Sequence, residues 1–170
     1  MKSKRSERDA RRGRRNFKRN LRLTESLTRS QLLCYNKIMI ENIYPEDWQQ
    51  TRGFYSPAKK IDLGNAYLIY VSGQQVDKNE NNEAITEDIE EQTELVFQAI
   101  EKILKAANAS IDDVVKAQIF LTNINDFPRV SAIRDKWFAK NKPVSTLVEV
   151  NAMTRKGAKI EIEVTAVINK

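Results

Sequence analysis

Lys159-Ile160-Glu161-Ile162-Glu163-Val164-Thr165-Ala166-Val167-Ile168 alternates apolar and polar side chains almost without a break. Successive side chains of a strand point to opposite faces. Ile160, Ile162, Val164, Ala166 and Ile168 therefore share one face, and Lys159, Glu161, Glu163 and Thr165 share the other. Such a strand needs a layer packed against its apolar side.

Upstream, two segments can supply that layer. Ile89, Val96, Ile100, Ile103, Leu104 and Ala107 recur at helical spacing and predict a helix of about 20 residues. Thr86 is placed to cap it, with Glu87, Asp88, Glu90 and Glu91 at its positive end. A second helix follows Asn125 or Asp126 as cap, carries Pro128 early, turns Val130, Ile133 and Trp137 inward and stops before Pro143. Between the helices, Val114 to Thr122 reads as a strand with Val115, Ala117, Ile119 and Leu121 on one face. Val144 to Val150 reads as another. Further upstream, Gly64-Asn65 separates Ile61-Asp62-Leu63 from Ala66 to Val71, which predicts a two-residue hairpin turn. Val76 to Glu83 is a polar loop. The order is β-β-α-β-α-β-β, an α+β fold of two layers.

The first 38 residues have another character. Residues 1–22 hold 11 Lys or Arg against Glu7 and Asp9, a net charge of +9. Of the chain's 29 basic and 23 acidic residues, 18 and 21 then remain for the rest, a net of −3. The basic balance thus belongs to the N-terminal segment. Residues 1–20 lack Leu, Ile and Val, and we expect a disordered extension over 1–38 and one domain over 39–170. That extension admits three readings: an arm that binds nucleic acid, the ribosome or an anionic membrane surface through residues 1–22, an organelle-targeting segment, or an extended gene start with Met39 as initiator. No run approaches the ~20 apolar residues of a membrane span.

Histidine is absent and Cys34 is the one cysteine. Imidazole bases, Ser-His and Cys-His nucleophile pairs, zinc spacings and an intrachain disulfide are therefore excluded. Carboxylates, Arg, Lys, Tyr, hydroxyls and ordered water remain for any chemistry. The expected compartment is reducing and cytoplasmic.

Four stretches carry a family resemblance: Gly53-Phe54-Tyr55, Tyr70-Val71-Ser72-Gly73-Gln74, Asn123-Ile124-Asn125-Asp126-Phe127, and Pro143-Val144-Ser145-Thr146-Leu147-Val148-Glu149-Val150 running on to Lys159-Ile160-Glu161-Ile162-Glu163. Their order and spacing resemble the Rid family (YjgF-like, RutC-like) of reactive-intermediate deaminases. The resemblance implies a chorismate-mutase-like homotrimer with small-molecule clefts between subunits. It implies hydrolysis of enamines and imines from amino-acid metabolism to keto acids and ammonia, with no cofactor and no metal. In active members an arginine grips the substrate carboxylate, and a glutamate positions water.

Carried over residue by residue, the resemblance matches Glu161 to the water-positioning glutamate and Tyr55 to an early site tyrosine. Ser72, Gly73, Asn125 and Phe127 match pocket-lining positions. Aligning on Val148-Glu149-Val150 puts Ser145 where active members carry the arginine, and Leu147 at a following cysteine position. Losing a bidentate, charge-assisted contact costs a few kcal/mol, or about two orders of magnitude in efficiency. Arg52, Arg155 and Lys159 are the cations that can substitute. The expectation is a metabolite-binding protein with deaminase activity reduced or lost. The alternatives are an active deaminase using another cation and a nucleic-acid-associated protein using the basic arm. Each site residue also has an ordinary reading: Glu161 on a solvated face, Tyr55 packing, Ser72 and Gly73 ending a strand, Phe127 stapling a helix start, Ser145 at a sheet edge.

Overall fold

The Gly64-Asn65 turn is formed as its sequence requires. The Leu63 N–H donates to the Ala66 carbonyl at 2.9 Å, and Gly64 takes φ of 97°, a backbone state that glycine enters freely. The Asp62 carboxylate accepts from the Gly64 N–H at 2.7 Å and closes the corner. This hairpin belongs to a computed structural model that describes residues 38–46, 48, 54–81 and 83–170. The readings placed on residues 1–37, on Arg52 and on Gly53 lie outside the described residues.

The hairpin strands are β2 (Ala58–Asp62) and β3 (Ala66–Gln74). They are preceded by β1 (Ile40–Ile43) and followed by helix α1 (Ile89–Ala106). Then come β4 (Val114–Leu121), helix α2 (Phe127–Trp137), β5 (Val144–Glu149) and β6 (Ile160–Asn169). Short 3₁₀ turns at Ile111–Asp113 and Ile124–Asp126 lead into β4 and α2. The six strands form one sheet in the order β1-β2-β3-β6-β4-β5. All neighbours are antiparallel except β4 and β5, which run parallel because α2 carries the chain across between them. The fold is the expected α+β arrangement of a mixed sheet and two helices.

β6 sits inside the sheet, and its alternation decides which face is buried. Ile160, Ile162, Val164 and Ala166 are buried under the helices, while Glu161, Glu163 and Thr165 point to the open face. Ile119 and Leu121 of β4 register against Ile162 and Ile160 and join the same core. From α1 the stripe brings Ile89, Val96, Ile100, Ile103 and Leu104, together with Phe97, which the periodic pattern omits. Phe97 stacks on Trp137 of α2 with ring centroids 5.4 Å apart and meets Phe138 edge-on at 5.2 Å. Burying such a ring is worth about 1.5–3 kcal/mol, and each aromatic pair adds about 0.5–1.5 kcal/mol.

Four expectations change. A strand the pattern does not announce, β1, pairs with β2 at the sheet edge; its burial is confined to Ile43, so it has no alternation to read. The α1 cap is Asp88, whose carboxylate accepts from the Glu90 and Glu91 N–H groups at 2.9 Å. Thr86 instead donates its hydroxyl to Glu91 and accepts from the Asp88 N–H, bracing the cap from outside. On β4, the register against β6 slips between Val114 and Lys116, so Val114 is buried and Val115 is exposed. A bulge of this kind cannot be read from alternation, because it breaks the alternation. Ahead of α2 neither candidate cap acts: Asp126 makes no side-chain cap bond, and Asn123 accepts from the Asn125 N–H instead.

Candidate functional site

Glu161 lies on the open face of β6, opposite Phe120 of β4. Next to it, β3 is irregular. Val71 pairs with Val164 and Gln74 with Ile162, so Ser72 and Gly73 bulge between them. The bulge turns the bare Cα of Gly73 toward Glu161. A methyl group at position 73 would overlap Glu161 Oε1, so the carboxylate occupies the space that a side chain would need. Gln75 then fixes the carboxylate from the other side. Its Nε2 donates to Glu161 Oε2 at 2.5 Å and to Thr154 Oγ1 at 3.1 Å. Gln75 Oε1 is buried without a partner among the described residues.

Ser72 is fully used in holding the bulge. Its N–H and its hydroxyl both donate to the Pro57 carbonyl, at 2.9 and 3.1 Å, and its hydroxyl accepts from Gln74 Nε2 at 3.2 Å. These bonds draw in the segment before β2, where Tyr55 stands exposed two residues ahead of Pro57. The loop between β5 and β6 is tied down by buried Gln92 of α1. The Gln92 amide donates to the Thr86 and Gly157 carbonyls and accepts from the Lys159 N–H, at 2.7 to 2.8 Å. Ser72, Gly73, Gln75, Thr154 and Glu161 thus form one cluster. Gln75 and Thr154 escape sequence reasoning, since their contacts cross 86 and 79 residues and no local pattern marks them.

The second group of expected site residues lies elsewhere. Asn125 and Phe127 are exposed where β4 runs into α2. On β5, Ser145, Leu147 and Glu149 register against Ala117, Ile119 and Leu121, which all face the helix layer. Residues opposite one another in a sheet share a face. Ser145 therefore points to the helix side, whereas Glu161, Phe120 and Val148 lie on the open side. Within one chain Ser145 and Glu161 sit on opposite faces, three residues apart along β4. Ser145 opens instead into a groove of about 480 Å³ beside α2, with Arg134, Phe138, Lys142 and Pro143 in its walls and Asp135 at its rim.

The cations proposed as substitutes fare differently. Lys159 is engaged, donating from Nζ to the Glu87 carbonyl. Arg155 follows Thr154 in the loop, and its Nη1 is buried without a hydrogen-bond partner among the described residues. No group of three or more Cys, Asp or Glu placed to hold a metal occurs among the described residues. No described helix is long and apolar enough to cross a membrane.

Comparison with known proteins identifies relatives of this chain and of its fold. Residues 46–168 match the model of the family described as endoribonuclease L-PSP. A RutC family protein of Pyrococcus abyssi is 37% identical over 126 residues, covering 74% of this chain and 95% of its own. A 2-iminobutanoate/2-iminopropanoate deaminase of Dermatophagoides farinae is 34% identical, over 70% of this chain and 89% of its own. The crystal structure of YyfA, a Rid protein of unknown function from Yersinia pestis, superposes with a TM-score of 0.66 at 33% identity, over 76% of this chain and all of the other.

Proposed function

The chain belongs to the endoribonuclease L-PSP family, which embraces the YjgF, Rid and RutC proteins, and from that premise we propose that it binds small imino- or keto-acid metabolites in clefts between identical copies, with deaminase activity reduced or lost. The observation that carries the reading is the Gly73–Glu161 cluster, a carboxylate hydrogen-bonded on an open sheet face with Gln75 and Thr154 behind it. A carboxylate in that setting orders a water molecule. An iminium carbon is already electrophilic, so an ordered water is sufficient for its hydrolysis when the substrate is held in place.

Assembly supplies the rest. In one chain Glu161 and Ser145 face apart, so a cleft using both needs the Glu161 face of one copy against the Ser145 edge of another. The open face favours this contact. Tyr70, Val115, Val144 and Val148 are exposed on it or along its rim, and an apolar patch of that kind is ordinarily covered. The family resemblance makes the assembly a homotrimer. Tyr55, Ser72, Gly73 and Glu161 then line one wall, and Asn125, Phe127, Ser145 and Leu147 the other.

Ser145 is the reason for reduced turnover. An arginine at this position would orient the substrate carboxylate for attack by the ordered water, whereas a hydroxyl supplies one neutral contact, whatever else holds the carboxylate. The wild-type chain should hydrolyse freshly generated 2-iminobutanoate little faster than buffer does, while light scattering at micromolar concentration gives three copies. Efficient turnover would overturn the loss of activity, and a monomer would overturn the cleft.

A further inference from the structure

The groove into which Ser145 opens is not neutral. Its walls carry two cations, Arg134 from α2 and Lys142 from the turn after it, against one carboxylate, Asp135. We infer that this groove is an anion site in which Arg134 and Lys142 hold the carboxylate of the bound metabolite. The inference rests on the reading given under Proposed function and assigns the ligand's charged end.

Arg134 is suited to the task. Its side chain is 21% exposed, so the groove and α2 fix its guanidinium, whereas Asp135 is 69% exposed. Nε and Nη2 both donate to the same oxygen, Asp135 Oδ1, at 2.9 and 2.8 Å. Two of the five guanidinium N–H groups are thereby used, and three remain. Asp135 is mostly exposed, so the pair is screened on its solvent side and offsets the guanidinium's charge toward the groove only in part.

Lys142 supplies an independent observation. It adopts φ of 46°, a left-handed backbone state uncommon for a residue other than glycine, in the turn between α2 and β5. The turn is held there by its neighbours. The Asn141 amide donates to the Ile111 and Val114 carbonyls at 2.8 Å each, and the Lys142 N–H donates to the Phe138 carbonyl at 3.1 Å. The Lys142 side chain is exposed, and its ammonium is open to the groove. Its position on the groove wall beside Ser145 gives it a use. Phe138 and Pro143 provide an apolar surface for a short carbon chain, and the Ser145 hydroxyl adds one hydrogen-bonding group. The ligand class is accordingly a small monocarboxylate with a short alkyl tail.

Calorimetric titration of the full chain tests this, with 2-oxobutanoate as the stable probe and its methyl ester as the uncharged control. The wild type should bind the acid and not the ester. Arg134→Gln should weaken binding about tenfold or more, as expected for loss of a charge-assisted contact. Lys142→Gly should weaken binding several-fold while the melting temperature stays level or rises, an outcome that a purely structural lysine would not give. Adding Ser145→Arg to Arg134→Gln should recover most of the affinity. If the wild type binds the acid and both variants bind it equally well, the anion site is refuted while the metabolite-binding reading stands. If the wild type binds neither acid nor ester, both fall together.

Discussion

The carboxylate of Glu161 stands in the space above Gly73 that any other residue's side chain would fill. The two are 88 positions apart and meet because β3 bulges between Val71 and Gln74 against β6. Gly73 needs no special φ; its value here is the absence of a side chain.

Gly73→Ala should therefore separate fold from function. The added methyl displaces only the end of a flexible side chain, so the melting temperature should fall by a few degrees at most. Glu161, however, must leave Gln75. Placed in the Ser145→Arg background, where turnover is expected, Gly73→Ala should lower Glu161-dependent imine hydrolysis at least tenfold, about 1.4 kcal/mol in barrier height. Unchanged hydrolysis would remove Glu161 from the chemistry.

Ser145→Arg should raise the deaminase activity toward 2-iminobutanoate, mainly in kcat/KM, because a guanidinium both binds and orients the carboxylate. Adding Glu161→Gln should cancel the gain. If the single variant assembles normally yet gains less than about threefold, loss of an arginine does not explain this protein.

Mixing subunits tests the cleft itself. A chain carrying Ser145→Arg and Glu161→Gln together should be inactive alone. Co-assembled with wild type, it should produce clefts with Arg from one copy and Glu161 from another, and hydrolysis that neither parent shows. Activity equal to the average of the parents would mean that the two positions do not meet across an interface.

Acid stability should depend on Asp88. The Glu91 N–H and then Arg129 of α2 hold its carboxyl below the usual carboxylate range. A group whose folded pKa is depressed adds stability above its unfolded value and loses it as pH falls through the folded value. Asp88→Asn keeps a capping oxygen but no charge. Its melting temperature should accordingly fall less than the wild type's between pH 5 and pH 2, as followed by circular dichroism.

Removal of residues 1–38 should leave a cooperative transition close to that of the full chain, since every periodic element lies downstream. A melting temperature lowered by more than about 10 °C, which corresponds to more than about 1 kcal/mol for a domain of this size, would show that the basic segment packs on the core.

Local chemistry made much of this legible. Alternation in β6, the apolar stripe of α1 and the Gly64-Asn65 corner each depend on neighbours in sequence, and each formed as read. Where a device overrides local periodicity, the sequence misleads: the bulge at Val115 reverses the face of the residues before it, and β1 is recruited by pairing with β2 rather than by any pattern of its own.

By itself the sequence determined that Glu161 faces away from Ile160 and Ile162, and that Ser145 and Leu147 share a face. It could not say whether Ser145 and Glu161 share one. That relation passes through β4, which pairs Phe120 with Glu161 and Ala117 with Ser145. A register slip of one residue at either pairing would bring the two residues to the same side, because side chains alternate with a period of two. Only the packed sheet fixes both registers, so only the tertiary structure decided that Ser145 opens beside Arg134 and Lys142 while Glu161 stands over Gly73.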